Sequence, residues 1–164
     1  MNAFWDTSAV LALVFEEEAS AAAVEAWSAS DVDYAWSWMK AEAISGTARR
    51  GATPEQWKSL NRLLASFYYA DITSEQIEAL CRANREWRLR AGDAGHLFCF
   101  QRISRVLPDA ALVCFDEEIN SAADALSLRR WGNSPDAKER SPKVKEDRGA
   151  YATPRALHRQ VRSA

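Results

Sequence analysis

Four acids in this sequence stand where they could share one chemical task. Asp93 lies in Leu89-Arg90-Ala91-Gly92-Asp93-Ala94-Gly95-His96-Leu97, directly ahead of the apolar run Leu97-Phe98-Cys99-Phe100. Asp6 follows the strand-like Asn2-Ala3-Phe4-Trp5, and Asp116 follows the apolar Ala110-Ala111-Leu112-Val113-Cys114-Phe115. Glu42 sits among Trp38, Met39, Ala41, Ala43 and Ile44, with only Lys40 interrupting. Carboxylates gathered at one place raise one another's pKa unless a cation holds them. A hard divalent ion is the natural counter-charge: Mg²⁺ takes oxygen ligands, keeps waters and leaves room for phosphate oxygens. Such a site supports hydrolysis of a phosphodiester by metal-activated water. Each acid also has an ordinary reading. Asp93 stands where a helix N-cap would be, with Gly92 ending or bending the segment before it. Glu42 could point to water from one face of an amphipathic helix, although burying a lone glutamate there would be costly.

Positioning these residues requires a particular order of elements. Residues 2–5 read as a short buried strand, Ala9 to Phe15 as a helix, and residues 19–28 as a second, alanine-rich one. Asp33-Tyr34-Ala35-Trp36 is expected as a strand, with Trp36 and Trp38 straddling its end. A helix from Met39 is stopped by Gly51, and Thr53-Pro54-Glu55 opens the next in N-cap-then-Pro order. A short strand over 67–72 precedes a helix from Thr73 to about Arg90, and the helix opened by Asp93 runs to about Arg105. The apolar run over 110–115 suits a strand buried on both faces, and Ile119 to Leu128 forms a last helix. Strands separated by helices imply an α/β fold: a mostly parallel twisted sheet with helices on both faces. Asp6 and Asp116, each just past a strand, then share the carboxyl edge, where open α/β folds bind ligands. Helix starts that follow strands put Glu42 and Asp93 on the same edge.

Composition narrows the classes. With 164 residues, 48% hydrophobic and 27% charged, the chain is ordinary for a globular protein. No apolar run is long enough for a membrane span, and the start carries no basic region, so neither membrane insertion nor a signal peptide is expected. Cys81, Cys99 and Cys114 are odd in number and lack C-x-x-C spacing, which argues against a zinc site or disulfides and fits the cytoplasm. The net charge of −2 is uneven: residues 1–131 hold 13 Lys and Arg against 19 Asp and Glu (−6), residues 132–164 hold 8 against 4 (+4). The body is therefore no all-over polyanion-binding surface. From Gly132 onward, Ser134-Pro135, Ser141-Pro142, Gly149 and Thr153-Pro154 have linker composition, so 132–164 is expected to be a flexible basic tail on a domain of 1–131.

Together, Phe4-Trp5-Asp6-Thr7-Ser8-Ala9, Ala41-Glu42 ahead of Ala48-Arg49-Arg50, the arginine-alanine-glycine-aspartate stretch at 90–93 and Leu112-Val113-Cys114-Phe115-Asp116 resemble PIN-domain ribonucleases, most closely the VapC-type toxins of toxin–antitoxin pairs. The resemblance covers residues 1 to about 128. It implies a PIN-like three-layer fold and metal-dependent cleavage of RNA, with Asp6, Glu42, Asp93 and Asp116 lining the metal site. It also implies that Thr7 and Ser8 hold a water or a phosphate oxygen, and that a small antitoxin is the partner. Mg²⁺ is the expected cofactor, with Mn²⁺ as a substitute, and a homodimer is the expected assembly. The chain departs from the family at Gly95, where a larger residue is usual, and at Arg129-Arg130-Trp131-Gly132, poor material for the family's final strand.

Other residues have weaker claims. His96, three positions after Asp93, shares its helical face and could touch substrate or a neighbouring acid. Arg90 could meet phosphate, Glu117 or Glu118 could assist Asp116, and Asp124 is expected to face solvent. Trp27, Trp57 and Trp87 are candidates for a dimer or partner face, where Trp is enriched. An aspartyl-nucleophile phosphatase would need an aspartate where Ser8 stands, and a receiver domain a late lysine that the body lacks. The remaining alternative is a non-catalytic interaction module on the same fold, its acids serving as helix caps.

Overall fold

The computed structural model describes residues 1–132. Apart from Gly132, the tail expected over 132–164 lies outside the described residues. The described chain is α/β, with strands β1 (Asn2–Trp5), β2 (Val32–Trp36), β3 (Tyr68–Ala70) and β4 (Ala111–Val113). The helices are α1 (Thr7–Ala12), α2 (Ser20–Ala29), α3 (Met39–Arg49), α4 (Pro54–Ser66), α5 (Ser74–Trp87), α6 (Ala91–Val106) and α7 (Glu117–Ala125). The sheet order is β3-β2-β1-β4 and every pairing is parallel.

Strand periodicity divides the core into two layers. Successive side chains point to opposite faces, so Ala3, Trp5, Ala35 and Val113 pack on one side with Val10, Leu11, Ala26, Met39, Leu60 and Leu64 from α1 to α4. Phe4, Leu112 and Cys114 pack on the other with Leu97, Phe100, Ile119 and Ala123 from α6 and α7. Strands β1 and β4 are thus covered on both faces, which is why they read as apolar runs. Trp27 and Trp57 pack against the first layer and Trp87 against the second. These half-buried tryptophans, candidates for a partner face, are largely spent on the body's own core.

Two boundaries differ from the sequence reading. The helix expected from Ala9 to Phe15 begins at Thr7 and closes at Ala12. More consequentially, Asp93 does not open its helix: α6 starts at Ala91 with Arg90 as N-cap, so Gly92 and Asp93 lie inside the first turn. The chain reversal before it is made by Arg88, in the left-handed region at φ 58°. Asn84 secures that turn, donating to Leu89 O at 2.9 Å and accepting from Leu89 N at 3.0 Å. After α7, a single parallel bridge joins Arg130 to Leu112. Leu112 N donates to Arg129 O at 3.0 Å and Trp131 N to Leu112 O at 2.8 Å, so the chain covers the outer side of β4 without forming a full strand. Arg130 is held there by a two-pronged pair with Asp124, at 2.6 Å for each contact. Asp124 is exposed, as expected, but has that partner.

Candidate active site

All four acids line one cleft of about 550 Å³, together with Thr7, Ser8, Leu11, Trp38, Ala41, Ser45, Gly46 and Arg49. The topology explains the convergence. Asp6 and Asp116 follow β1 and β4, and α3 follows β2, which places Glu42 in its first turn. The helix α6 runs back toward the start of β4, so its first turn, with Asp93, lies at the carboxyl edge as well. Each acid therefore sits at a helix N-terminus, where the free N–H groups and the dipole favour negative charge. Asp6 and Asp116 are N-caps: Asp6 accepts from Ser8 N at 2.9 Å, and Asp116 from Glu118 N and Ile119 N at 2.9 and 3.0 Å. Neither Glu42 nor Asp93 is placed as a cap.

The hydroxyl pair serves the carboxylates. Ser8 Oγ donates to Asp6 Oδ2 at 2.6 Å and accepts from Phe115 N at 3.1 Å, tying the end of β1 to the end of β4. Thr7 Oγ1 donates to Glu42 Oε2 at 2.5 Å. A hydroxyl has one proton to give, so both are committed to orienting acids. Only their acceptor capacity remains for a water or a substrate.

His96 is the centre of this network. It is 1% exposed. Its Nε2 lies 2.7 Å from Glu42 Oε2 and 3.2 Å from Thr7 Oγ1, and its Nδ1 lies 3.6 Å from Asp6 Oδ1 with no hydrogen-bond partner. Trp36 stands edge-on to the imidazole, ring centres 5.3 Å apart. Glu42 is thus turned inward, not to water. Burial works against its charge, but the bonds from His96 and Thr7 outweigh it and hold the carboxyl below its usual range. Burial likewise disfavours a charged His96, yet Asp6 and Glu42 raise its pKa above the ordinary value. Asp93 is pushed up, first by burial and then by the charges of Asp116 and Asp6. The carboxylates of Asp6, Asp93 and Asp116 thus share one cleft.

Two glycines make this approach possible. A Cβ at Gly92 would lie 2.7 Å from Glu42 Oε1, and one at Gly95 only 2.3 Å from the Trp36 ring. The glycine at position 95 thus has a local cause, the indole of β2 pressed against the backbone of α6.

The donor set suits a hard cation, since only oxygen acceptors face the cleft and Asp93 experiences the repulsion that a cation would relieve. Among the described residues, no group of three His, Cys, Asp or Glu side chains is already drawn close enough to hold an ion. Loading would have to draw the carboxylates inward, with waters filling the remaining positions, as is usual for Mg²⁺. Arg90 is exposed and does not line the cleft, whereas Arg49, anchored to Ser45 Oγ at 2.6 Å, does. Glu117 and Glu118 are exposed on α7 and also lie outside the lining. Arg49 entered the sequence reading only within the Ala48-Arg49-Arg50 segment and without a role, and Trp38 only at a strand end and as an apolar neighbour of Glu42; their spacing from Glu42 along α3 was the available clue. Among the described residues no helix is long and apolar enough to cross a membrane. No family model matches the chain, and no curated protein matches it.

Proposed function

We propose that this chain is a Mg²⁺-dependent endoribonuclease, the toxin of a toxin–antitoxin pair, acting in the cytoplasm. The observation that carries the nuclease reading is the meeting of Asp6, Glu42, Asp93 and Asp116, from four separate elements, in one cleft at the carboxyl edge of a parallel sheet. The toxin assignment, the small antitoxin partner and the homodimer rest on the motif resemblance alone. Asp6, Asp93 and Asp116 would hold the ion, and Glu42 completes the acidic wall directly or through water. A bound Mg²⁺ would supply charge neutralisation at the phosphate, a lowered pKa for the water that attacks phosphorus after losing its proton, and stabilisation of the leaving oxygen. Glu42, kept ionised by His96 and Thr7, presents a fixed acceptor that orients a water. Arg49 at the rim offers a charged donor to a phosphate oxygen.

A second reading has an observation of its own: Asp6 and Asp116 cap α1 and α7. On that reading the acids are structural and the fold is a non-catalytic interaction module. Capping does not explain Glu42 and Asp93, which favours the nuclease. The deciding experiment is cleavage of a mixed RNA panel by the purified full chain in Mg²⁺, Mn²⁺ or chelator. Asp6→Asn keeps an oxygen that can accept from Ser8 while removing one charge, so activity should fall at least about 100-fold, with partial recovery at high Mn²⁺. Cleavage that persists in chelator, or equally in Asp6→Asn and Asp93→Asn, refutes the assignment.

A further inference from the structure

The rim of the cleft carries a large side chain that the chemistry does not use. Trp38 is 55% exposed, yet it lines the same cleft as the four acids. Leaving an indole in water forgoes much of the burial that a Trp would otherwise contribute. The ring is nonetheless held in place. Trp38 lies 6.3 Å from Trp36 at an interplanar angle of 34°. Trp36 is fixed in turn by His96 and by the close backbone of Gly95. A firm aromatic face is thus offered to solvent beside the candidate reaction centre.

Charge makes that face more telling. Residues 1–131 sum to −6, and among the described residues Arg49 is the one cationic residue lining the cleft. Beyond the ion that the cleft is proposed to hold, a polyanion meets few charge partners there, so affinity for the rest of the strand needs another interaction. Stacking of an unpaired base on an aromatic ring meets that need: it is strong, tolerant of sequence and indifferent to the sign of the surrounding potential. We propose that Trp38 is the base-stacking platform of this cleft, holding one unpaired nucleotide of a single-stranded RNA while Arg49 takes a neighbouring phosphate oxygen. The proposal rests on the ribonuclease reading and names its substrate class. A duplex, whose bases are already stacked, would have to be opened first.

Equilibrium binding tests it independently of cleavage. The probe is a fluorescently labelled single-stranded oligoribonucleotide, titrated with the full chain in Ca²⁺ and followed by anisotropy, with a gel confirming that the RNA stays intact. Trp38→Ala should weaken binding about tenfold and Trp38→Phe no more than about threefold, in line with base–aromatic stacking. An abasic site moved along the oligonucleotide should weaken binding to the unmutated chain at one position and cost Trp38→Ala nothing further there. With so few phosphate contacts, log K should fall with log salt at a slope no steeper than about −1.5. Since Trp38 is exposed and makes no side-chain cap bond, circular dichroism should report an unchanged fold in both variants. Equal binding by Trp38→Ala would assign the indole to a protein contact and overturn the proposal, while RNA cleavage in Mg²⁺ would still stand on its own. Failure of the unmutated chain to bind any single strand, or binding that prefers duplex, would overturn it as well.

Discussion

Gly92 faces the carboxylate of Glu42 so closely that a Cβ at this position would lie 2.7 Å from Oε1. The missing side chain is what lets an acid of α3 and the first turn of α6 share one wall. Glycine in a helix costs roughly 0.5–1 kcal/mol relative to alanine, so Gly92→Ala offers a helical gain against a clash with a flexible side chain. The expected outcome is a protein whose stability in urea lies within about 1 kcal/mol of the original but whose Glu42 is displaced. Nuclease activity should drop about tenfold or more. Full activity in Gly92→Ala would show that the position of Glu42 is immaterial to the reaction.

Gly95 poses a different case, because its close neighbour is a packed indole ring and not the end of a mobile chain. An added Cβ would meet three Trp36 ring atoms at 2.3 to 2.9 Å. Overpacking of this kind typically costs about 1–3 kcal/mol, so Gly95→Ala should lower the unfolding midpoint by several degrees. At Gly46 the nearest atom is the Leu11 Cδ1 methyl at 2.9 Å, which can rotate away. Gly46→Ala should therefore be the milder of the two in a side-by-side melt. The reverse order would mean that Trp36 is less firmly held than its contacts with His96 indicate.

The doubly covered strands were legible because β1 and β4 are short apolar runs each followed by an aspartate, and the edge shared by Asp6 and Asp116 follows from parallel pairing. The start of α6 was not. Asp93 and Gly92 carry N-cap and stop signals, but the reversal was taken by Arg88 and stitched by Asn84, a contact five residues long that no local rule singles out. The role of His96 was open to sequence only as a shared helical face with Asp93. Its bond to Glu42 spans 54 residues and depends on how closely α6 approaches β2, set by Gly95 against Trp36. Thr7 and Ser8 were expected to hold a water or a phosphate oxygen; both give their single protons to neighbouring acids, which leaves their acceptor lone pairs for that task.

His96 should leave a mark on stability as a function of pH. Its pKa is raised in the folded chain by Asp6 and Glu42 in spite of burial, so the native state binds the proton more tightly than the unfolded one. The resulting stabilisation is fully present below the unfolded value of about 6.5 and is lost as pH rises through the folded value. In chelator, the midpoint should fall as pH rises above about 6.5. His96→Gln, which keeps a donor for Glu42 but cannot titrate, should flatten that slope relative to the original and lower stability most at the acidic end. The cost there should be about 1–3 kcal/mol, as for a broken buried hydrogen-bond network. Parallel pH profiles for the two proteins would remove His96 as the source.

Asp93 should show the opposite balance between stability and chemistry. Burial, then the charges of Asp116 and Asp6, raise its pKa, so its ionised form is disfavoured in the folded chain. For a carboxyl raised in this way, the favourable contribution is present below its ordinary value and disappears as pH climbs through the folded one. At neutral pH the charge is therefore a burden on the metal-free protein. Asp93→Asn should raise the midpoint in chelator. Mg²⁺ should reverse the ranking. An ion at ten times its Kd stabilises the original by about 1.4 kcal/mol, whereas a variant lacking this ligand should respond weakly. Thermal melts of both proteins in chelator and in a Mg²⁺ series give the full comparison. A less stable Asp93→Asn in chelator would assign Asp93 to the helix dipole of α6 in place of the acidic cluster, and equal Mg²⁺ responses would remove it from the metal site.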